Sequence, residues 1–143
     1  MTTALERRQR PVQPERYDIA GLKTDLAGIS LIDEPQVVRK RSRDFFWYSP
    51  ILNRELAGKS ADIIACPRDE AEVVRVAAAC ARRRIPLTVR AAGTGNYGQA
   101  VPLEGGVLLD ITALTGIVPR QGEALVVTAG PNGPQVAGRI AFD

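Results

Sequence analysis

The chain contains no histidine at all. The usual zinc-binding sets therefore cannot be built from these residues. Cysteine is nearly as scarce, with only Cys66 and Cys80, and their spacing matches no metal pattern. No metal site is expected. Long apolar runs are missing too, and no window approaches the roughly 20 apolar residues of a membrane span. The opening segment, MTTALERRQRPVQPER, has no apolar h-region, which excludes a signal peptide at that position. Together these absences predict a cytoplasmic protein with two free, partly buried thiols in a reducing compartment.

A strong charge of one sign is also lacking. The formal net charge is +3, and it is unevenly placed. Residues 1–60 hold 11 Lys/Arg against 8 Asp/Glu, whereas residues 61–143 hold 8 against 8. That excess is too small and too dispersed for a nucleic-acid-binding face.

What remains is ordinary globular material. The 143 residues, 45% apolar and 24% charged, fit one domain of common size. Residues 1–16 are rich in Arg, Gln and Pro and are expected to be poorly ordered. From Tyr17 to Ile32 a weak amphipathic pattern places Ile19, Leu22, Leu26 and Ile29 at helical spacing. A basic run, Arg39-Lys40-Arg41-Ser42-Arg43, then precedes Phe45, Phe46, Trp47 and Tyr48. Such a run could pair with a phosphate backbone while its aromatics stack on bases. The plainer expectation is a partly helical arm whose rings pack on a domain and whose charges stay solvated. Residues 1–57 are thus read as a basic, aromatic extension, and 58–143 as the regular part.

Regularity begins after Gly58. Residues 61–66 form a short apolar run, read as a strand and ended by Pro67. Asp69 can cap a helix with its carboxylate, and Glu72 stands three residues on, as in a capping box. Glu70 and Glu72 suit the positive first turn, and Arg82 to Arg84 the negative last one, where the arginines read as a solvated helix end. Val73, Val74, Ala77, Ala78 and Ala81 are predicted to form the buried face. Pro86 ends the helix and a second strand follows to Arg90. Strand, helix and strand make a β-α-β unit with parallel strands. Val107 to Ile111 reads as a third strand and Ala124 to Thr128 as a fourth, with turns marked by Gly116 and Gly122. The fold class expected is α/β.

Between the second and third strands lies the sequence's most informative stretch, residues 86–110, PLTVRAAGTGNYGQAVPLEGGVLLD. Three glycines, Gly93, Gly95 and Gly98, allow the backbone to curl and let a ligand approach the N–H groups closely. Successive N–H groups in such a curl form an anion site, and Arg90 adds a permanent positive charge at its entrance. This predicts a phosphate-binding loop. The spacing Gly93-x-Gly95-x-x-Gly98 formally matches a dinucleotide fingerprint, but that motif needs a helix opening from the loop. Residues 99–106 contain Pro102 and the pair Gly105-Gly106, and are too short for a crossover helix. A nicotinamide-type Rossmann domain is disfavoured on that ground. The Walker pattern fails as well, for want of a Lys-Ser or Lys-Thr after a glycine.

Four segments in order, Pro67 to Val74, Ile85 to Arg90, Ala91 to Gln99 and Gly105 to Asp110, resemble the start of the PCMH-type FAD-binding domain. This is the domain of the vanillyl-alcohol oxidase, or FAD-linked oxidase, family. The resemblance covers about residues 58–130 and implies an architecture that the family's own terms call α+β. It implies that Ala91, Ala92, Gly93, Thr94, Gly95, Asn96, Gly98 and Gln99 wrap the FAD pyrophosphate, with Pro67 near the adenosine half. It further implies an FAD-dependent oxidoreductase acting on an alcohol or 2-hydroxy acid. Two positions often occupied by Gly are Ala91 and Ala92 here. Some members attach the flavin through a His at the position of Thr94; without His, the FAD is expected to be non-covalent. Pro131-Asn132-Gly133-Pro134 interrupts where relatives enter a helix. The expectation is a truncated relative that lacks the isoalloxazine and substrate parts, carries no catalytic acid or base of its own and is inactive alone. The competing expectation is a non-enzymatic, partner-completed nucleotide-binding module.

Overall fold

The structure is a computed structural model that describes residues 16–114 and the backbone of two further strands, 116–118 and 126–128. In chain order the elements are α1 (Ile19–Asp25), β1 (Ser30–Ile32), α2 (Pro35–Arg41), a 3-10 turn (Phe46–Tyr48) and α3 (Pro50–Leu56). They continue as β2 (Ile63–Cys66), α4 (Glu70–Arg83), β3 (Leu87–Arg90), β4 (Val107–Asp110), β5 (Gly116–Val118) and β6 (Val126–Thr128). Four strands form one sheet in the order β1-β2-β4-β3, and β5 pairs with β6 separately. The segment carrying Pro131 to Pro134 lies outside the described residues, as do residues 1–15.

Strand β4 sits in the middle of the sheet, parallel to both β2 and β3, and all four of its residues are buried. A strand covered on both faces must be apolar on both, which accounts for the unbroken Val107-Leu108-Leu109. Its insertion means that β2 and β3 are parallel but not neighbours. Alternation along the strands divides the core in two. Ile63, Ala65, Val107 and Leu109 pack with Leu22, Leu26, Ile29, Val76, Ala79, Cys80 and Ile85. Ile64 and Leu108 face the other way, with Val38 and Ala61. Each fully buried Val, Leu or Ile among them stabilises the fold by about 1.5–3 kcal/mol.

Helix α4 is capped as expected: the Asp69 carboxylate accepts from the Glu72 N–H at 2.8 Å. The reciprocal contact is displaced by one residue, since Glu72 Oε2 accepts from the Arg68 N–H at 2.8 Å. The buried face differs from expectation. Glu72, Val76, Ala79 and Cys80 are buried, whereas Ala77, Ala78 and Ala81 are exposed and Val74 is 59% exposed. An alanine run carries little orienting hydrophobicity, so its phase was set by Val76 and Cys80 against the sheet. Arg83 does not simply solvate the helix end. Its Nε donates to Asp25 Oδ2 at 2.7 Å, and Nη1 reaches Asp18, clamping α1 onto α4.

The N-terminal half holds two further departures. The pattern to Ile32 is not one helix: α1 stops at Asp25, and Gly28, at φ +90°, turns the chain so that Ser30–Ile32 pairs antiparallel with β2. Gly116, expected as a turn, begins β5, and the strand expected over 124–128 is described as Val126–Thr128. One glycine is imposed by packing. Gly106 has φ +77°, and a Cβ there would stand 2.2 Å from the Pro86 carbonyl oxygen, which accepts from the Val107 N–H.

Candidate functional site

The glycine loop leaves the carboxyl end of β3, the end at which ligands bind in open α/β sheets. No helix forms between β3 and β4, consistent with the exclusion of a Rossmann-type site. Gly93 lies at φ +68° and Gly98 at φ +82°, while Gly95 is not in the left-handed region. The N–H groups of Ala92 to Asn96 donate to no group among the described residues, which leaves a row of donors able to meet an anion. Tyr97 N–H donates to Gln99 Oε1 at 3.0 Å, so Gln99 braces the turn. A Cβ at Gly95 would lie 2.5 Å from that same Oε1. Thr94, Asn96 and Gln99 are exposed, and Ala91, Gly93, Gly95 and Gly98 are half-buried. Pro67 is fully buried at the end of β2.

The far wall of the site comes from a segment some fifty residues earlier. Phe45 N–H donates to the Gly95 carbonyl at 2.8 Å, and Arg90 Nη1 donates to the Arg43 carbonyl at 2.9 Å. Between arm and loop opens a cleft of about 350 Å³ lined by Lys40, Arg43, Asp44, Phe45, Trp47, Arg90, Ala92 and Gly93. That volume is at the small end for ligand sites, and takes part of a dinucleotide rather than the whole. Three cations against one carboxylate give it a positive bias. A Cβ at Gly93 would come within 1.8 Å of the Arg90 guanidinium, so the bare glycine keeps the cradle open beside that charge. These features fit the diphosphate of FAD.

The sequence did not mark Lys40, Arg43, Asp44 and Trp47 as part of this site. Their basic-aromatic composition suited a solvated arm, and only tertiary contact brings them to the loop. The neighbouring Arg41 has a structural role: its Nη1 meets Asp110 Oδ2 at 2.5 Å, with Asp110 buried. Trp47 and Tyr48 stack on one another with ring centroids 3.9 Å apart. Both cysteines are free. Burial pushes the Cys80 thiol up to about 11. It also raises Cys66, helped by Asp110 and opposed by Arg41. Neither is suited to nucleophilic work. Among the described residues no cluster of His, Cys, Asp and Glu could hold a metal ion, and no helix is long and apolar enough to cross a membrane.

Comparison with known proteins bears directly on this cleft. The sequence pattern of the FAD binding domain family matches residues 61–141, which covers the loop, α4 and the three parallel strands. The chain belongs to the FAD binding domain family. The glycolate oxidase subunit GlcD of Escherichia coli K12 is 45% identical over 47 residues, covering 33% of this chain and 9% of that protein. GlcD of Bacillus subtilis 168 is 31% identical over 70 residues, 49% of this chain and 15% of the relative. Among solved structures, an alkyldihydroxyacetonephosphate synthase superposes with a TM-score of 0.60 at 16% identity, over 82% of this chain and 23% of that one. A Physcomitrella patens BBE-like 1 protein gives 0.54 at 14% identity, over 74% and 22%. These two share the fold, that of the PCMH-type domain. FAD is the cofactor of the FAD binding domain, as the resemblance implied.

Proposed function

We propose that Ala91, Ala92, Gly93, Thr94, Gly95, Asn96, Gly98 and Gln99 form the cradle for the FAD diphosphate. The protein to which this domain belongs would then oxidise a 2-hydroxy acid or a related alcohol. The observation that carries the cradle is the row of undonated N–H groups from Ala92 to Asn96, of which Ala92 and Gly93 line the cleft beside Arg90. Carried on fixed backbone rather than on side chains, such donors cost no rotamer entropy when an anion arrives. Gly93 supplies the turn that Cβ would strain, Gln99 braces the following stretch by accepting from the Tyr97 N–H, and Arg90 offsets the phosphate charge. Bound FAD supplies the acceptor for a hydride leaving the substrate. The substrate class rests on the relatives named glycolate oxidase subunits, of whose length the alignments span 9–15%. No acid or base for the reaction is assigned within these residues.

The unit boundary belongs to the same reading: 58–143 carries the cofactor domain, and 1–57 is the extension whose Lys40 to Trp47 stretch closes the cleft. A cytoplasmic setting and non-covalent attachment complete it. The test is a fluorescence titration with FAD. Wild type should quench flavin emission saturably, and Gly93→Val should abolish this while keeping the same circular dichroism spectrum. Equal affinity in both would refute the cradle. Acid precipitation should leave all flavin in the supernatant, and a yellow pellet would contradict non-covalent binding.

A further inference from the structure

Asp44 is the one buried polar side chain in the cleft whose bonding is incomplete. The residue is 5% exposed. Its Oδ1 accepts from the Phe46 N–H at 2.9 Å, which fixes the carboxylate at the start of the 3-10 turn. Its Oδ2 is buried and has no hydrogen-bond partner among the described residues. A carboxylate oxygen withdrawn from water and left unpaired carries a large desolvation cost unless a donor meets it. The cations that share the cleft do not provide one. Arg90 spends its guanidinium on the carbonyls of Arg43 and Ala92, and Arg43 lies over the Phe46 ring at 5.4 Å. No Lys or Arg among the described residues forms an ion pair with Asp44.

The position of Oδ2 narrows what can complete it. It lies 3.3 Å from the point where a Cβ on Gly95 would stand, so it borders the loop at the centre of the cradle. An ionised carboxylate only accepts hydrogen bonds, and beside a diphosphate it is repelled. A ligand that seats its phosphates on the loop must therefore turn a donor, not a phosphate oxygen, toward this atom. In a dinucleotide the donors flanking the diphosphate are sugar-type hydroxyls.

We propose that Asp44 is a ligand-binding residue of this cleft, with Oδ2 accepting a hydrogen bond from a hydroxyl of the sugar or polyol chain next to the FAD diphosphate. The proposal deepens the cradle reading and rests on it. It also gives the arm a function: the Phe45 N–H holds the loop at the Gly95 carbonyl, the Arg43 carbonyl holds the Arg90 side chain, and Asp44 between them places one acceptor where hydroxyls flank the phosphates. A diphosphate without hydroxyls gains nothing from that acceptor, so Asp44 selects for a dinucleotide over a bare anion.

Asp44→Asn separates the possibilities. The amide is nearly isosteric, and its single oxygen can keep the Phe46 N–H, which turns an NH₂ donor toward the ligand in place of Oδ2. The full chain would be titrated with FAD by flavin fluorescence, and with inorganic pyrophosphate by chemical-shift changes of the loop amides. The variant should bind FAD about tenfold or more weakly, the range for a lost charged hydrogen bond. Its affinity for pyrophosphate should be unchanged or higher, because a repelling charge has gone. Unchanged FAD affinity overturns the proposal. So does an equal loss for both probes, which would mean that Asp44 only shapes the loop. A wild-type chain that binds neither probe brings down the cradle itself, and the proposal with it; that result involves no variant and is distinct from the other two.

Discussion

Two connections in this molecule join parallel strands, and they are built in opposite ways. The link from β2 to β3 runs through α4, a 14-residue helix that carries its own cap, its own charge complementarity and a buried face. The link from β3 to β4, residues 91–106, contains no helix. It is held instead by scattered hydrogen bonds, from the Phe45 N–H to the Gly95 carbonyl, from the Tyr97 N–H to Gln99, and from the Gly106 N–H to Asp62. The first connection is a structural element that happens to cross the sheet. The second leaves the N–H groups of Ala92 to Asn96 without an acceptor among the described residues, and a connection with such free N–H groups can take a ligand. Binding loops are drawn from the less stable parts of a fold for this reason.

The contrast can be tested from the core outward. Leu108→Ala, at a fully buried position of the central strand, should lower unfolding free energy by about 2–5 kcal/mol. Urea denaturation would measure it, and a loss under 1 kcal/mol would mean that β4 is not central to the core. Gly93→Val should cost less in stability, about 1–3 kcal/mol for a β-branched residue at φ +68°, although it removes FAD binding. The comparison collapses if this loop variant unfolds the protein as severely as the core one. Asp69→Ala removes the helix cap and should cost about 1 kcal/mol with FAD affinity unaltered. A change in affinity would show that the two connections are coupled.

Acid should loosen the α1–α4 side. The hydrogen bond from Arg83 holds the Asp25 carboxyl below its ordinary range. The Arg68 side chain and backbone N–H do the same for Glu72. A depressed folded-state pKa adds stability that is complete above about pH 5 and is lost as pH falls through and below the usual carboxylate values. The thermal midpoint should therefore drop between pH 5 and pH 3, and Arg83→Ala should flatten that slope. A midpoint independent of pH over this interval would refute the clamp. The smallest effect is chemical. Cys80, pushed up to about 11 by burial, should react with iodoacetamide far more slowly in the native protein than in urea. Equal rates would show that α4 opens freely.

Much of the helix connection was legible in the residues themselves. Asp69, Pro86 and the arginines near the C-terminus fixed where α4 begins and ends, because capping and proline chemistry are local. Its facing direction was not legible, since Ala77, Ala78 and Ala81 offer almost no hydrophobic contrast and the sheet chose Val76 and Cys80. The glycine loop was legible as an anion site from Gly93, Gly95 and Gly98, yet its far wall was invisible. Nothing in Lys40, Arg43 or Asp44 points to residues fifty positions later.

By itself, then, the sequence determined the features that depend on neighbouring residues: the capped helix, the short apolar strands, the positive-φ turn at Gly93, and the order of motifs that identifies the FAD binding domain family. The tertiary structure decided those that depend on distant contacts. It inserted β4 between β2 and β3, because only a strand apolar on both faces can occupy the middle of the sheet. It made a strand of Ser30–Ile32 by pairing it with β2, and it carried Asp44 to the edge of the glycine loop. Periodicity and turn chemistry act over a few residues, whereas the cleft is made by hydrogen bonds between segments some fifty residues apart, and only the folded chain brings those segments together.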